Sequence, residues 1–137
     1  MPLGPLVRFL FGTGVRRGEA LALRWEDVSF DVSTARIRRT LTHGRLGTPK
    51  SGKGRTVQLS PGLAAMLRAL LTSRRREALA QGWGEVPPWV FCGAEGQPLE
   101  ANLSRAWGRL QRRARAAGIR ALPLHSCRHF FATEALR

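Results

Sequence analysis

Residues 3–11 are almost continuously apolar, and the Gly-Thr-Gly at 12–14 ends the run, which predicts a helix closed by glycine. The stretch RRGEALALRW (16–25) is built from good helix formers and places Leu21 and Trp25 four apart on one face. From Thr34 to Leu41, and again from Arg55 to Leu59, β-branched residues recur near period two. Gly44, Gly47, Gly52 and Gly54 punctuate the interval as turns, so this region reads as a small antiparallel sheet carrying a basic hairpin. Ser60-Pro61 is a helix start, with serine as cap and proline in the first turn. Leu63, Met66, Leu67, Leu70 and Leu71 then follow the i, i+3, i+4, i+7, i+8 spacing of a core-facing helix, which SRRREALAQG (73–82) continues or ends. A loop follows in which Trp83 and Trp89 pack, then a helix over about Asn102–Ala117 stopped by Gly118, and a last helix capped by Ser126. The fold class is α+β, mainly α-helical, with a three-stranded antiparallel sheet within residues 28–60.

A chain of 137 residues is about one domain, and at 43% hydrophobic it can bury a core. No apolar run is long enough to cross a bilayer, and the first residues have neither a basic leader nor a small-residue cleavage site. Two distant cysteines, Cys92 and Cys127, make no disulfide framework and suit a reducing cytoplasm.

Charge changes the picture most. Lys plus Arg number 23 against 9 Asp plus Glu, a net of +14 that calls for a polyanionic partner. The excess is not uniform. Residues 1–34 and 61–100 each balance four basic against four acidic groups, whereas 35–60 hold seven basic and no acidic ones, and 101–137 hold eight against Glu134 alone. In the helix from about Asn102, Leu103, Trp107, Leu110 and Ala114 fall on one side, with Arg105, Arg109 and Arg112 opposite and Arg113 flanking them. An exposed helix ordinarily mixes Glu with Arg; a purely cationic face reads as phosphate-facing rather than merely solvated.

The segment PLHSCRHFF (123–131) sets His125, Arg128 and His129 within five positions. With Ser126 as cap, Arg128 lies in the first helical turn, where free N–H groups and the dipole favour an anion. The i, i+4 histidines have zinc-ligand spacing, but a zinc hydrolase wants Glu at 126 where Ser stands, and no third ligand is evident; no metal is expected. His129, beside Phe130 and Phe131, reads as a packed histidine, whereas His125 and Arg128 together read as an anion site.

GTGVRRGEALALRWEDV (12–28) resembles the first motif box of tyrosine recombinases, also called phage integrases, and HSCRHFFATEAL (125–136) resembles their second. TPKSGKGRTVQLS between them is similar to the family's β-hairpin with its lysine. The order and approximate spacing agree, over nearly all of the chain. The resemblance implies helices around a small antiparallel sheet, and DNA cleavage by a tyrosine that forms a 3′-phosphotyrosine link, with no cofactor or metal. By motif, Arg16 is the first catalytic arginine, Lys50 the hairpin lysine that protonates the leaving 5′-oxygen, with Lys53 competing for that role, and His125 and Arg128 the second box. Glu19 is expected to orient the neighbouring arginines. Two guanidiniums can hold the non-bridging oxygens of a phosphorane by forked hydrogen bonds, and histidine suits proton movement near neutral pH.

Two departures stand out. The second box has SC where a DL-like pair is common, and the chain contains no tyrosine. The expectation is a single partial catalytic domain over 1–137, with the N-terminal core-binding domain and the C-terminal tyrosine segment absent. Its partner would be double-stranded DNA, contacted by Arg36, Arg38, Lys53, Arg55, Arg105, Arg109, Arg112 and Arg113. Self-association through exposed terminal helices is expected, and no membrane. The rival readings are a non-catalytic DNA-binding remnant and an unrelated RNA-binding protein; the latter is weakened by the lack of exposed aromatic motifs for single strands.

Overall fold

Leu6, Phe9 and Leu10 share one helix face because positions three and four apart stack, and they are fully buried. They belong to α1 (Leu3–Thr13), the first element of a computed structural model that describes residues 3–49, 52–93, 96, 97, 99, 112 and 116. The chain continues through α2 (Arg17–Leu21), a 3-10 turn (Trp25–Asp27), β1 (Val28–Ser29), β2 (Thr34–Ile37), β3 (Thr40–Thr42), β4 (Arg45–Gly47), β5 (Arg55–Gln58) and α3 (Pro61–Gln81). Leu63, Ala64, Leu67 and Leu70 of α3 meet α1 in one core, which Phe91 closes from the following loop at 5.4 Å between ring centroids from Phe9. The Ser60 hydroxyl accepts from the Leu63 N–H at 3.1 Å, and Gly82 ends α3 with a left-handed φ of 70°.

The expected three-stranded antiparallel sheet is present, in the order β1-β2-β5, with Ala35 opposite Val57 and Ile37 opposite Arg55. In β2 the alternation is plain: Ala35 and Ile37 are buried and Arg36 is exposed. A separate two-stranded hairpin, β3-β4, stands beside it.

Two readings from the sequence are corrected. The strand expected to run unbroken from Thr34 to Leu41 splits at Arg38-Arg39. Both guanidiniums turn to the buried Asp27 carboxylate, Arg38 Nε at 3.1 Å and Arg39 Nη1 at 2.7 Å. Consecutive residues of a regular strand point to opposite faces, so both can reach one carboxylate only where the alternation breaks. The helical stretch 16–25 stops at Leu21: Ala22 leaves helical geometry as the cap, and the Leu23 N–H turns back to the Ala20 carbonyl at 3.2 Å. The chain extends instead: Arg24 bridges Trp89, with its guanidinium 4.8 Å from that ring's centroid. Arg74 is buried, giving Nη1 to Glu77 at 2.9 Å and Nη2 to the Cys92 carbonyl at 3.4 Å.

One ion pair ties α2 to the sheet. The Glu19 carboxylate, 1% exposed, accepts two parallel hydrogen bonds from Arg55 of β5, both at 2.8 Å, and one from the Arg16 N–H at 2.8 Å. Burial by itself pushes the Glu19 pKa up, but the Arg55 hydrogen bonds, the Arg16 N–H and both guanidinium charges together hold it below the ordinary carboxylate range. The same contact raises the Arg55 pKa.

Two predictions test this frame. A Cβ on Gly18 would collide with Thr40 Oγ1 and stand 2.8 Å from the Leu41 carbonyl oxygen. Gly18→Ala should therefore cost about 1–3 kcal/mol in denaturant unfolding, because backbone cannot swing aside as a long side chain can; unchanged stability would show that α2 does not rest on β3. The lowered Glu19 pKa means that its contribution is present above the ordinary carboxylate range and is lost as pH falls through the depressed folded value. Glu19→Gln should thus destabilise at pH 7 by about 1–3 kcal/mol, discounted for Arg55's partial exposure, and by less at pH 3. Equal losses at both pH values in thermal melts would disprove the pair's role.

Candidate nucleic-acid interface

Glycine at 14, with φ 71°, turns the chain out of α1, and Val15 buries itself to anchor the next residue. Arg16 follows with extended φ/ψ as the residue that caps α2. Its backbone N–H is committed to Glu19, while its half-buried side chain makes no ion pair among the described residues, its charge acting on Glu19 only from beyond contact. Arg17, the next residue, is exposed.

The structure redistributes the acid-free block 35–60. Arg38 and Arg39 are held by Asp27 and Glu26, and Arg55 by Glu19, all acids of the charge-balanced first segment. Two of the expected DNA contacts, Arg38 and Arg55, therefore give hydrogen bonds to carboxylates and brace the sheet. Arg36 is exposed on β2, with no ion pair among the described residues, and Lys53 is exposed between β4 and β5. Arg112 is exposed in helical conformation, on the side expected to be cationic. Lys50 lies outside the described residues; the Pro49 carbonyl before it accepts from the Gly52 N–H at 2.8 Å. His125 and Arg128, with Arg105, Arg109 and Arg113, also lie outside them.

The role expected of Glu19 is found in a modified form. It orients Arg16 through the main chain, and the side chain it clamps belongs to Arg55, distant in sequence, rather than to the adjacent Arg17. The Asp27 clamp was not anticipated, although the run WED followed by RR contains its members. Among the described residues, no group of three His, Cys, Asp or Glu is placed to hold a metal ion, and no helix is long and apolar enough to cross a membrane.

Comparison with known proteins places this geometry. The model of the phage integrase family matches residues 2–137. Tyrosine recombinase XerD of Corynebacterium glutamicum is 33% identical over 132 residues, which cover 96% of this chain and 38% of that protein. Prophage integrase IntR of Escherichia coli is 32% identical over 145 residues, 93% of this chain and 34% of that one. The chain spans well under half the length of the curated relatives it matches. Among solved structures, the Tn1549 transposon integrase in complex with a circular intermediate DNA superposes with a TM-score of 0.78 at 20% identity, covering 95% of this chain and 44% of that one. XerA recombinase gives 0.71 at 23% identity, covering 98% and 43%. At such identities the structures establish a shared fold of helices and a small antiparallel sheet; in this chain Arg16 caps helix α2 and Glu19 lies within it. On the family match over nearly its whole length, the chain belongs to the phage integrase family, the tyrosine recombinases.

Proposed function

We propose that these residues form part of the catalytic domain of a site-specific recombinase, binding duplex DNA and holding a scissile phosphate for strand cleavage and rejoining through a 3′-phosphotyrosine. The observation that carries the reading is the treatment of Arg16. Its main chain is fastened by the buried Glu19–Arg55 pair, while its guanidinium, though its charge is felt at Glu19, makes no ion pair among the described residues. A cation held in place and making no such pair suits an external anion. Arg128 supplies the second guanidinium, His125 moves a proton, and Lys50, with Lys53 as the competing residue, protonates the leaving oxygen. The proposed DNA contacts are Arg36, Lys53, Arg105, Arg109, Arg112 and Arg113; Arg38 and Arg55, each partly exposed, add donors beyond those their carboxylates take. No metal or other cofactor enters this scheme, because phosphotyrosine conserves the bond energy. The reducing cytoplasm is the compartment proposed for it, where the buried free thiol of Cys92 is stable.

A second reading, binding without chemistry, is favoured for these 137 residues alone by the absence of any tyrosine among them. Removing a nucleophile leaves only binding and electrostatic stabilisation, and an identical copy has no tyrosine to donate. Self-association is proposed as well. The proposed route is the terminal helices, with a second copy covering their apolar faces.

Three outcomes are expected. Affinity for duplex DNA should fall steeply with salt, with a log–log slope near about −0.9 for each phosphate neutralised, and Arg105→Ala, Arg109→Ala and Arg112→Ala combined should flatten it. An unchanged slope would put the DNA elsewhere. The 137-residue chain should form no covalent adduct on a nicked suicide substrate; supplying a separate tyrosine-bearing helix should restore some cleavage, which Arg16→Ala abolishes. A shifted band from the unaided chain on a denaturing gel would overturn the mechanism. Light scattering should show mass above the monomer at high concentration, and a monodisperse monomer would remove the association.

A further inference from the structure

We propose that the β3-β4 hairpin enters the major groove of DNA, with Arg45 reaching a guanine edge. The inference rests on the DNA-binding reading and adds a contact that the motif residues do not include. The hairpin closes through His43 and Gly44, both at positive φ (49° and 78°), the two-residue turn that matches strand twist. Thr40 pairs with Gly47, Leu41 with Leu46 and Thr42 with Arg45. Residues directly opposite share a face, so Thr40, Thr42, Arg45 and Gly47 form one face, and Leu41 and Leu46 form the other. Leu41 is buried at the root, whereas every residue from Thr42 to Thr48 is exposed. A body-packed ribbon would bury more than its root.

The polar face is furnished for an anionic, hydrogen-bonding surface. It carries two threonine hydroxyls and a guanidinium, and no acid lies between Thr34 and Pro61. Arg38, Arg39 and Arg55 are taken by carboxylates, but Arg45 and His43 have no ion pair among the described residues. Thr40, Thr42, His43, Arg45 and Gly47, together with Leu46 of the opposite face, line a shallow concavity of about 600 Å³ around the hairpin. At the root, Gly18 lies against Thr40 and the Leu41 carbonyl, so the face continues into the start of α2, where Arg16 and Arg17 lie. Dimensions agree: three residues per strand project roughly 10 Å, and the major groove is about 8.5 Å deep and admits a two-stranded ribbon. Exposed strand edges also invite pairing with a second copy, but a cationic face without acids repels its own image.

The test measures affinity of the 137-residue chain for duplexes containing guanine or 7-deazaguanine, which lacks only the major-groove N7 acceptor, at fixed salt. Arg45→Ala should bind the guanine duplex about tenfold more weakly. The deaza duplex should weaken the unsubstituted chain similarly and leave Arg45→Ala unaffected. A thermal melt of Arg45→Ala matching the parent confirms that the exposed position leaves folding intact. If the parent binds DNA with a steep salt slope and Arg45→Ala binds equally well, the hairpin proposal fails while the DNA reading stands. If Arg45→Ala weakens binding but the deaza base has no effect, the contact is to phosphate and groove entry is wrong. Loss of self-association at unchanged DNA affinity would reassign the hairpin to a second copy. No DNA binding by the parent would sink both readings.

Discussion

The Glu19 carboxylate is the point on which the site depends. It is almost wholly buried, and burial alone would push it towards the neutral form. Three hydrogen bonds, two from Arg55 and one from the Arg16 N–H, keep it ionised. A buried carboxylate so satisfied is costly to disturb, because loss of one partner leaves a charge without compensation. The rigidity reaches Arg16, the residue proposed for chemistry: α2 is only five residues long and would not form alone. Its first turn is set by tethers to β5 and by the close seat of Gly18 on β3.

A second carboxylate repeats the logic at lower stakes. Asp27 gathers the Arg24 N–H and the guanidiniums of Arg38 and Arg39. The result is a break in the strand that frees the next residues to form an independent hairpin. Acids of the balanced first segment thereby neutralise arginines of the acid-free one. What remains unpaired among the described residues there, Arg36 and Arg45, lies on exposed positions. A net charge of +14 is thus not spread evenly: internal ion pairs decide which arginines brace and which face outward.

The proposed arrangement would separate placing a phosphate from attacking it. Guanidiniums positioned in advance stabilise charge without moving during the reaction, which is where much of an enzyme's electrostatic advantage lies. Attack needs a nucleophile with its own activation, and no tyrosine occurs in these residues.

Much of the fold was legible along the chain. The apolar spacing of Leu63, Met66, Leu67 and Leu70, with Ser60-Pro61 before it, determined α3 because helical periodicity and capping are local. Alternation at Thr34–Ile37 determined β2 for the same reason, and the motif around Arg16 and Glu19 announced the candidate site. Local pattern could not show that Arg38 and Arg39 converge on one aspartate, that Arg55 faces Glu19 across 36 positions, or that Arg74 alone of three consecutive arginines is buried. Charge counted by segment treats each cation as free. Only the tertiary structure brings distant acids within hydrogen-bonding reach, where desolvation strengthens each pair and gives a cation that sequence assigns to DNA a bracing role as well.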